Sequence, residues 1–111
     1  MLCSHYIQKK KEEINLENML EIIKLVEIIK SKITSDTDLM WTHYNSIEEL
    51  ITEIDFNSKL LEAKNDQGLE FFLMSFLPTG TFQEISIQNG WSEEYLKLAA
   101  QFDTIYENLK Q

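Results

Sequence analysis

Residues 92–109 carry the clearest helical pattern in the chain, and this pattern limits what the remaining residues can form. Its apolar side chains recur at steps of three and four residues: Tyr95, Leu98, Ala99, Phe102, Ile105, Tyr106 and Leu109. Such spacing places them on one stripe of an α-helix. Ser92, Glu93 and Glu94 stand where a capping oxygen and the positive end of a helix dipole favour them. We predict an amphipathic helix over 92–109, whose apolar stripe other helices must cover.

A turn and a second helix are predicted just before this one. Asn89-Gly90 is a typical helix stop, because glycine readily adopts the left-handed backbone that ends helices. Thr81 is followed three residues later by Glu84. This is the spacing of a capping box, in which the two side chains accept bonds from each other's backbone N–H groups. The segment therefore predicts a helix that begins with a cap at Thr81.

The longest apolar segment runs from residue 12 to residue 34. Its apolar residues are Ile14, Leu16, Met19, Leu20, Ile22, Ile23, Leu25, Val26, Ile28, Ile29 and Ile33. They cover more than half of the helix circumference, whereas a surface helix needs a stripe of only ~100°. We predict a long helix that either is the centre of a bundle or has one face covered by a second copy of the chain.

The second alternative makes the protein a homodimer. Leu16, Leu20 and Ile23 then lie on the seam between the two copies. The residues assigned to the protomer's own core are Ile22, Val26, Ile29 and Ile33.

Composition favours helices over strands. Three Gly and one Pro argue against a sandwich of short strands, and an apolar fraction of 43% excludes a disordered chain. We predict a mainly α fold, a small bundle of about five helices around the long apolar helix 12–34 and the amphipathic helix 92–109. Residues 12–111 form a single helical domain, and residues 1–11 form a flexible N-terminal arm.

The middle of the chain leaves an alternative open. Ser46 and Glu49 have capping-box spacing and predict a short helix, which the sequence Asp55-Phe56-Asn57-Ser58 interrupts. Residues 69–77 are apolar on every side, so periodicity does not distinguish a helix from a strand there. Helices are preferred, and the alternative is an α+β fold with a small antiparallel meander over 58–88.

Charge points to the kind of partner. Nineteen acidic residues oppose ten Lys, and the chain contains no Arg, which gives a net charge of −9. Arg is the residue best suited to bidentate recognition of phosphate, so its absence disfavours nucleotide and nucleic-acid binding. An acidic surface instead attracts cationic partners. A single cysteine, Cys3, and the absence of a signal peptide or membrane-spanning apolar run predict a cytoplasmic location.

The motifs of catalysis and metal binding are not found. The sequence has no Gly-rich phosphate loop, no Gly-x-Ser-x-Gly turn and no His-Glu-x-x-His. Cys3 and His5 lack a second pair at zinc-type spacing. His43 near Asp36 and Asp38 is typical of a packed or partly exposed side chain beside turn-forming aspartates. We expect a protein that is not an enzyme and has no catalytic residues, metal or cofactor.

Residues 82–99 resemble a helix-turn-helix, the element with which many regulators bind DNA. The second helix of this segment begins with Glu93 and Glu94, and residues 65–111 contain two Lys against seven acidic residues. Because affinity for DNA depends on cations that neutralise phosphates, this composition opposes DNA binding. A DNA-associated regulator with a degenerate helix-turn-helix at 82–99 is therefore the alternative function, as is a small structural or oligomerisation protein.

The span from residue 36 to residue 55 is the predicted partner-binding site. It contains six acidic residues and no Lys, with aromatic residues between them. Aromatic anchors ringed by charge are typical of interface hot spots. The predicted site residues are Asp36, Asp38, Trp41, Tyr44, Glu48, Glu49, Glu53 and Asp55. We expect a binding module that masks a basic protein partner, as inhibitors, immunity proteins and antitoxins do.

Overall fold

The structure is a computed structural model that describes residues 15–110. The predicted arm 1–11 and the first three residues of the predicted helix 12–34 lie outside the described residues, as does the pair Cys3 and His5. The helices are α1 (Leu16–Ser31), α2 (Ile47–Glu62), α3 (Asp66–Phe76), α4 (Thr81–Gln88) and α5 (Ser92–Lys110). Residues 15–110 contain no strand, so the mainly helical class is confirmed and the α+β alternative over 58–88 is not supported.

Helix α1 is shorter than predicted. Asn15 has an extended backbone and its side chain accepts a hydrogen bond from the Glu17 backbone N–H at 2.8 Å, so it caps a helix that begins at Leu16. The helix ends at Ser31, and Ile33 lies beyond it although its side chain is still buried. The prediction of 12–34 assumed that every apolar residue of the segment is helical. Ile33 instead reaches the core from the turn that follows the helix.

Helix α2 is longer than predicted. The capping box is present, because the Glu49 backbone N–H donates to Ser46 Oγ at 3.1 Å and Glu49 Oε1 accepts from the Asn45 backbone N–H at 2.9 Å. The predicted interruption at 55–58 is wrong, since the helix continues to Glu62. Asn57 is buried and its amide Nδ2 donates to the Glu53 backbone carbonyl, so this polar side chain is satisfied within the helix.

Helix α4 begins differently from the prediction and ends as predicted. The capping box at Thr81 and Glu84 is wrong, because the N-cap is Gly80 and Thr81 is the first helical residue. At the other end Gly90 has φ of 82°, and the Trp91 backbone N–H donates to the Ser86 carbonyl at 2.9 Å. This six-to-one bond is the Schellman motif that ends a helix at a left-handed residue.

Helix α5 confirms the predicted amphipathic helix. Its stripe supplies four buried residues, Tyr95, Leu98, Phe102 and Ile105. Phe76 at the end of α3 stacks on Phe102 with ring centroids 4.4 Å apart, and the Tyr95 hydroxyl donates to the Phe76 carbonyl at 2.9 Å. Aromatic stacking and this buried hydrogen bond fix α3 against α5.

The helices pack against one another in pairs around a shared core. Helix α1 packs against α2 and α5, while α3 packs against α2 and α4, and α4 packs against α5. Ile22, Val26 and Ile29 of α1 are fully buried, as predicted. Leu16 and Leu20 of the same helix are 58% and 51% exposed. No helix within the described range has the length and apolar character that crossing a membrane requires.

Gly68 allows α2 and α3 to approach closely. A Cβ atom at this position would lie 2.6 Å from the Asn57 carbonyl oxygen and 2.6 Å from the Leu61 backbone nitrogen, so any side chain would push the helices apart. The close crossing brings Phe71 and Met74, one and two turns further along α3, to the side of α2 where a cavity opens.

Candidate functional site

The acidic face of α2, defined here by Glu48, Glu49, Thr52, Glu53 and Phe56, is the most distinctive surface. These side chains line one shallow depression. Residues three and four apart are neighbours on a helix, so Glu49, Glu53 and Phe56 follow one another along a single stripe. Phe56 is 60% exposed at the C-terminal end of this stripe. An exposed aromatic ring therefore lies next to carboxylates.

The carboxylates of this face have no cation beside them among residues 15–110. The ion pairs of this range join Lys30 to Glu27 at 3.9 Å and to Asp55 at 2.6 Å, and Lys32 to Glu94 at 2.9 Å. Because no cation from the described range pairs with the acidic face, its negative potential extends into solvent.

Tyr44 lies beneath the acidic face. It is 6% exposed, and its hydroxyl donates a hydrogen bond to Glu53 Oε1. Burial raises the pKa of Tyr44, and the bond to Glu53 and the charges of Glu53 and Glu49 raise it further. The phenol therefore stays protonated and orients the Glu53 carboxylate, a different arrangement from the exposed anchor expected from the sequence.

A second cavity, which we call the aromatic pocket, lies on the other side of Glu53. It has a volume of about 370 Å³ between α2, α3, the loop that precedes α2 and the start of α4. Its lining residues are His43, Tyr44, Glu53, Phe71, Met74, Ser75, Thr79, Gly80 and Thr81. The His43 and Tyr44 rings lie 4.2 Å apart at its edge. Thr79 has φ of 67°, which is strained for a β-branched residue.

Asp55 faces α1 and not the acidic face. Its Oδ1 accepts a hydrogen bond from Lys30 Nζ at 2.6 Å. This bond, with the charges of Asp55 and Glu27, raises the pKa of Lys30 against the opposing effect of burial. Asp55 therefore holds α2 to α1.

Asp38 anchors its loop to the end of α4. The Asp38 backbone N–H donates to Asn89 Oδ1 at 2.8 Å, and Asn89 Nδ2 donates back to the Asp38 carbonyl at 3.0 Å. Its carboxylate accepts from the Met40 backbone N–H at 2.9 Å. Asp36 and Trp41 are exposed in the same loop. The structure thus brings Tyr44, Glu48, Glu49 and Glu53 together and places Asp38 and Asp55 at contacts with other helices.

Sequence reasoning missed three residues of this region. Phe56 follows Glu49 by seven residues, and this spacing would have placed it on the acidic face if α2 had been continued beyond Asp55. Phe71 and Met74 carry no comparable signal, since the run 69–77 is apolar on every side. Their position depends on the close crossing at Gly68.

The sequence also raised a cluster of His43 with loop aspartates, a metal site and a helix-turn-helix. His43 lines the aromatic pocket, whereas Asp38 binds Met40 and Asn89, so the structure does not gather His43 and Asp38 around one cavity. Within residues 15–110 there is no group of three or more His, Cys, Asp or Glu side chains placed to hold a metal ion. In the segment 82–99, Glu93 and Glu94 are exposed in the first turn of α5.

Comparisons of the chain with protein-family models, with curated protein sequences and with solved structures found no match. Function is therefore inferred from the acidic face and the aromatic pocket themselves.

Proposed function

We propose that this protein is a non-enzymatic acidic binding module that masks a basic protein partner, in the manner of an inhibitor, immunity or antitoxin-type protein. The acidic face of α2 is the surface that receives the partner. One observation carries the proposal: Glu48, Glu49 and Glu53 have no cation partner within residues 15–110 and line the same depression as the exposed ring of Phe56.

Electrostatics supports this assignment. An acidic patch attracts a cationic partner over distances of about a Debye length, ~8–10 Å at physiological salt, and can raise association rates by roughly 10 to 10³. The net charge of −9 adds to the attraction. Once contact is made, burial of an aromatic ring such as Phe56 contributes more to affinity than the surrounding charges do.

The helical scaffold supports it as well. We infer that the helices form one bundle of about five helices around α1 and that the protein works in the cytoplasm. Because α2 is tied to α1 through Asp55 and Lys30, the acidic face is held in place before the partner arrives. A preorganised surface loses less conformational entropy on binding.

Affinity capture with the full chain as bait tests the proposal. Capture from the source cell should be compared at low and high salt, and between two double variants that change net charge equally. Glu49→Lys with Glu53→Lys alters the acidic face, and Glu93→Lys with Glu107→Lys alters the exposed side of α5. We expect a basic partner that is lost at high salt and with the first variant, and retained with the second.

Two results would contradict the proposal. One is capture of acidic partners whose yield does not fall as salt increases. The other is equal loss of the basic partner with both double variants, since only net charge would then matter. Circular dichroism of each variant establishes that loss of capture does not come from unfolding.

The exposed part of α1 favours a second candidate, a homodimer or small oligomerisation protein. Leu16 and Leu20 lie one turn apart on α1 and are 58% and 51% exposed, and a contiguous exposed apolar patch can mark a protein–protein interface. If a second copy covers them, sedimentation should give twice the chain mass of 13.1 kDa. Leu20→Glu should then leave folded monomer, while Val26→Glu should unfold the chain. A concentration-independent mass of 13.1 kDa rules the dimer out.

A further inference from the structure

We propose that the aromatic pocket binds one cationic side chain of the basic partner, the ammonium of a Lys or the guanidinium of an Arg, with Glu53 as its counter-ion. This inference rests on the proposed function and specifies how the partner is recognised. It concerns residues of α3 that are not part of the acidic face.

The volume of the pocket suits a long side chain. About 370 Å³ corresponds to roughly a dozen water molecules at ~30 Å³ each, which is enough for one Lys or Arg side chain. Phe71 is half-buried and Met74 is 59% exposed, so the wall they form is apolar and accessible. Lys and Arg side chains place their methylene stems along such a wall and keep the charged end at a polar group.

Glu53 is prepared to meet that charge. Its Oε1 accepts the Tyr44 hydroxyl, and its other carboxylate oxygen makes no hydrogen bond or ion pair to any residue from 15 to 110. The Tyr44 bond fixes the carboxylate at the pocket wall. A cation placed there would gain a charge-assisted hydrogen bond from a partly buried and oriented acceptor.

The rings of the pocket favour a cation over an apolar anchor. Phe71 and Tyr44 line the pocket, and the π electrons of an aromatic ring attract a cation that lies within about 6 Å of the ring centroid. A neutral apolar group would fill the same space but leave the Glu53 carboxylate partly desolvated with no cation to neutralise it, which costs free energy. The combination of aromatic wall and single carboxylate is therefore selective for positive charge.

A polypeptide fits the surroundings better than a free small cation. Glu53 borders both the aromatic pocket and the acidic face, so the two cavities meet at this residue. A chain whose Lys or Arg enters the pocket passes directly onto Glu48, Glu49 and Phe56. Neighbouring basic residues of the same chain would contact these carboxylates, which a single small ion cannot do.

Binding of a short rhodamine-labelled peptide of alternating Arg and Ser to the full chain tests the inference, measured by fluorescence anisotropy at low salt. Glu53→Gln keeps an acceptor for Tyr44 and removes the charge, and Phe71→Leu keeps apolar volume and removes the ring. Glu107→Gln on α5 is the matched control for charge. We expect Kd to rise about tenfold with Glu53→Gln and about two- to fivefold with Phe71→Leu. The control should change Kd by less than about twofold, as expected for a screened distant charge.

Different failures separate this inference from the proposed function. If Glu53→Gln weakens peptide binding more than Glu107→Gln does but Phe71→Leu has no effect, the pocket is overturned and the proposed function stands. If Glu53→Gln and Glu107→Gln weaken binding equally, both fail, because Glu53 also belongs to the acidic face. If the wild type does not bind the peptide at low salt, both fail. Competition with free guanidinium tests whether the ligand is a polypeptide. If the peptide binds no more tightly than guanidinium, the pocket is a site for a small cation and the proposal of a polypeptide ligand is wrong. Thermal unfolding of each variant verifies that it is folded.

Discussion

The acidic residues between positions 36 and 55 have two different roles in the folded chain. Asp38 and Asp55 contact other helices. The Asp38 backbone is bonded to Asn89 and its carboxylate Oδ2 accepts from Gln88 Nε2 at 3.4 Å, both at the end of α4, while the Asp55 carboxylate accepts from Lys30 of α1. Glu48 and Glu49 point outward beside Phe56, with no cation next to them in the described part of the chain. A count of charge does not distinguish these residues. In the fold the first pair contacts other helices, whereas the second pair lies on the exposed acidic face, where Glu49 also accepts the Asn45 backbone N–H at the start of α2.

Glu53 combines the roles of the two groups. One of its carboxylate oxygens accepts the hydroxyl of buried Tyr44, as a structural residue would, and its side chain also lines both cavities. Substitutions should therefore change stability at Asp38 and Asp55, binding at Glu48, and both at Glu53 and at Glu49, which also caps α2.

The largest expected loss of stability comes from removing the hydrogen bonds between Asn89 and Asp38. Asn89→Ala removes the two bonds to the Asp38 backbone and a third from Asn89 Nδ2 to the Ile85 carbonyl. At about 1 kcal/mol for each hydrogen bond, unfolding free energy should fall by about 2–3 kcal/mol. Urea denaturation at neutral pH measures this as a lower midpoint with an unchanged slope. A change below about 0.5 kcal/mol would mean that the loop is not held to α4.

Asp55→Ala should have the next largest effect. It leaves Lys30, whose side chain is 25% exposed, without the carboxylate at 2.6 Å. The expected loss is about 1 kcal/mol, since partly exposed ion pairs contribute little but a hydrogen bond to a charged group contributes more. The double variant Lys30→Met with Asp55→Ala should recover part of it in the same urea assay. If the losses of unfolding free energy caused by Lys30→Met and by Asp55→Ala simply add in the double variant, the pair does not join α1 to α2.

Tyr44→Phe should cost about 1 kcal/mol by removing the hydroxyl that binds Glu53. The folded-state pKa of Tyr44 is raised above its ordinary value of 10.0. The contribution of this proton to stability is therefore fully present below pH ~10 and is lost as pH rises above that value.

Urea denaturation of both proteins at neutral pH and at alkaline pH measures this effect. The stability advantage of the wild type over Tyr44→Phe should shrink at alkaline pH. An advantage that grew with pH would contradict the assigned sign.

Glu48→Ala should have the smallest effect. It makes no hydrogen bond or ion pair within residues 15–110, so unfolding free energy should change by less than about 0.5 kcal/mol. The same urea assay measures this change. A larger loss of unfolding free energy would show that Glu48 stabilises the fold, as Asp38 and Asp55 do.

Local signals in the sequence were sufficient for several elements. The Ser46 cap, the Asn89-Gly90 stop and the stripe of α5 depend on residues that are near one another along the chain, and each is present in the structure. The Thr81 cap failed because Gly80 occupies the N-cap position and leaves Thr81 one residue inside the helix.

The division of the acidic residues could not be predicted in the same way. Lys30 and Asp55 are separated by 25 residues, and Asp38 and Asn89 by 51. No periodicity within one helix connects such pairs. Phe56 was missed for a local reason, since a break was assumed at 55–58, where the helix continues to Glu62 and the Asn57 side chain donates to the Glu53 backbone carbonyl.

The central claim, that a basic polypeptide binds the acidic face of α2, is tested most directly by NMR. The full chain labelled with ¹⁵N should be titrated with an unlabelled Arg-Ser peptide while backbone amide shifts are followed. The account predicts that the largest shift changes fall within residues 46–56 and disappear as salt is raised. Changes that are largest at Glu93, Glu94 and Glu107 of α5, or that spread evenly over all exposed acidic residues, would contradict it.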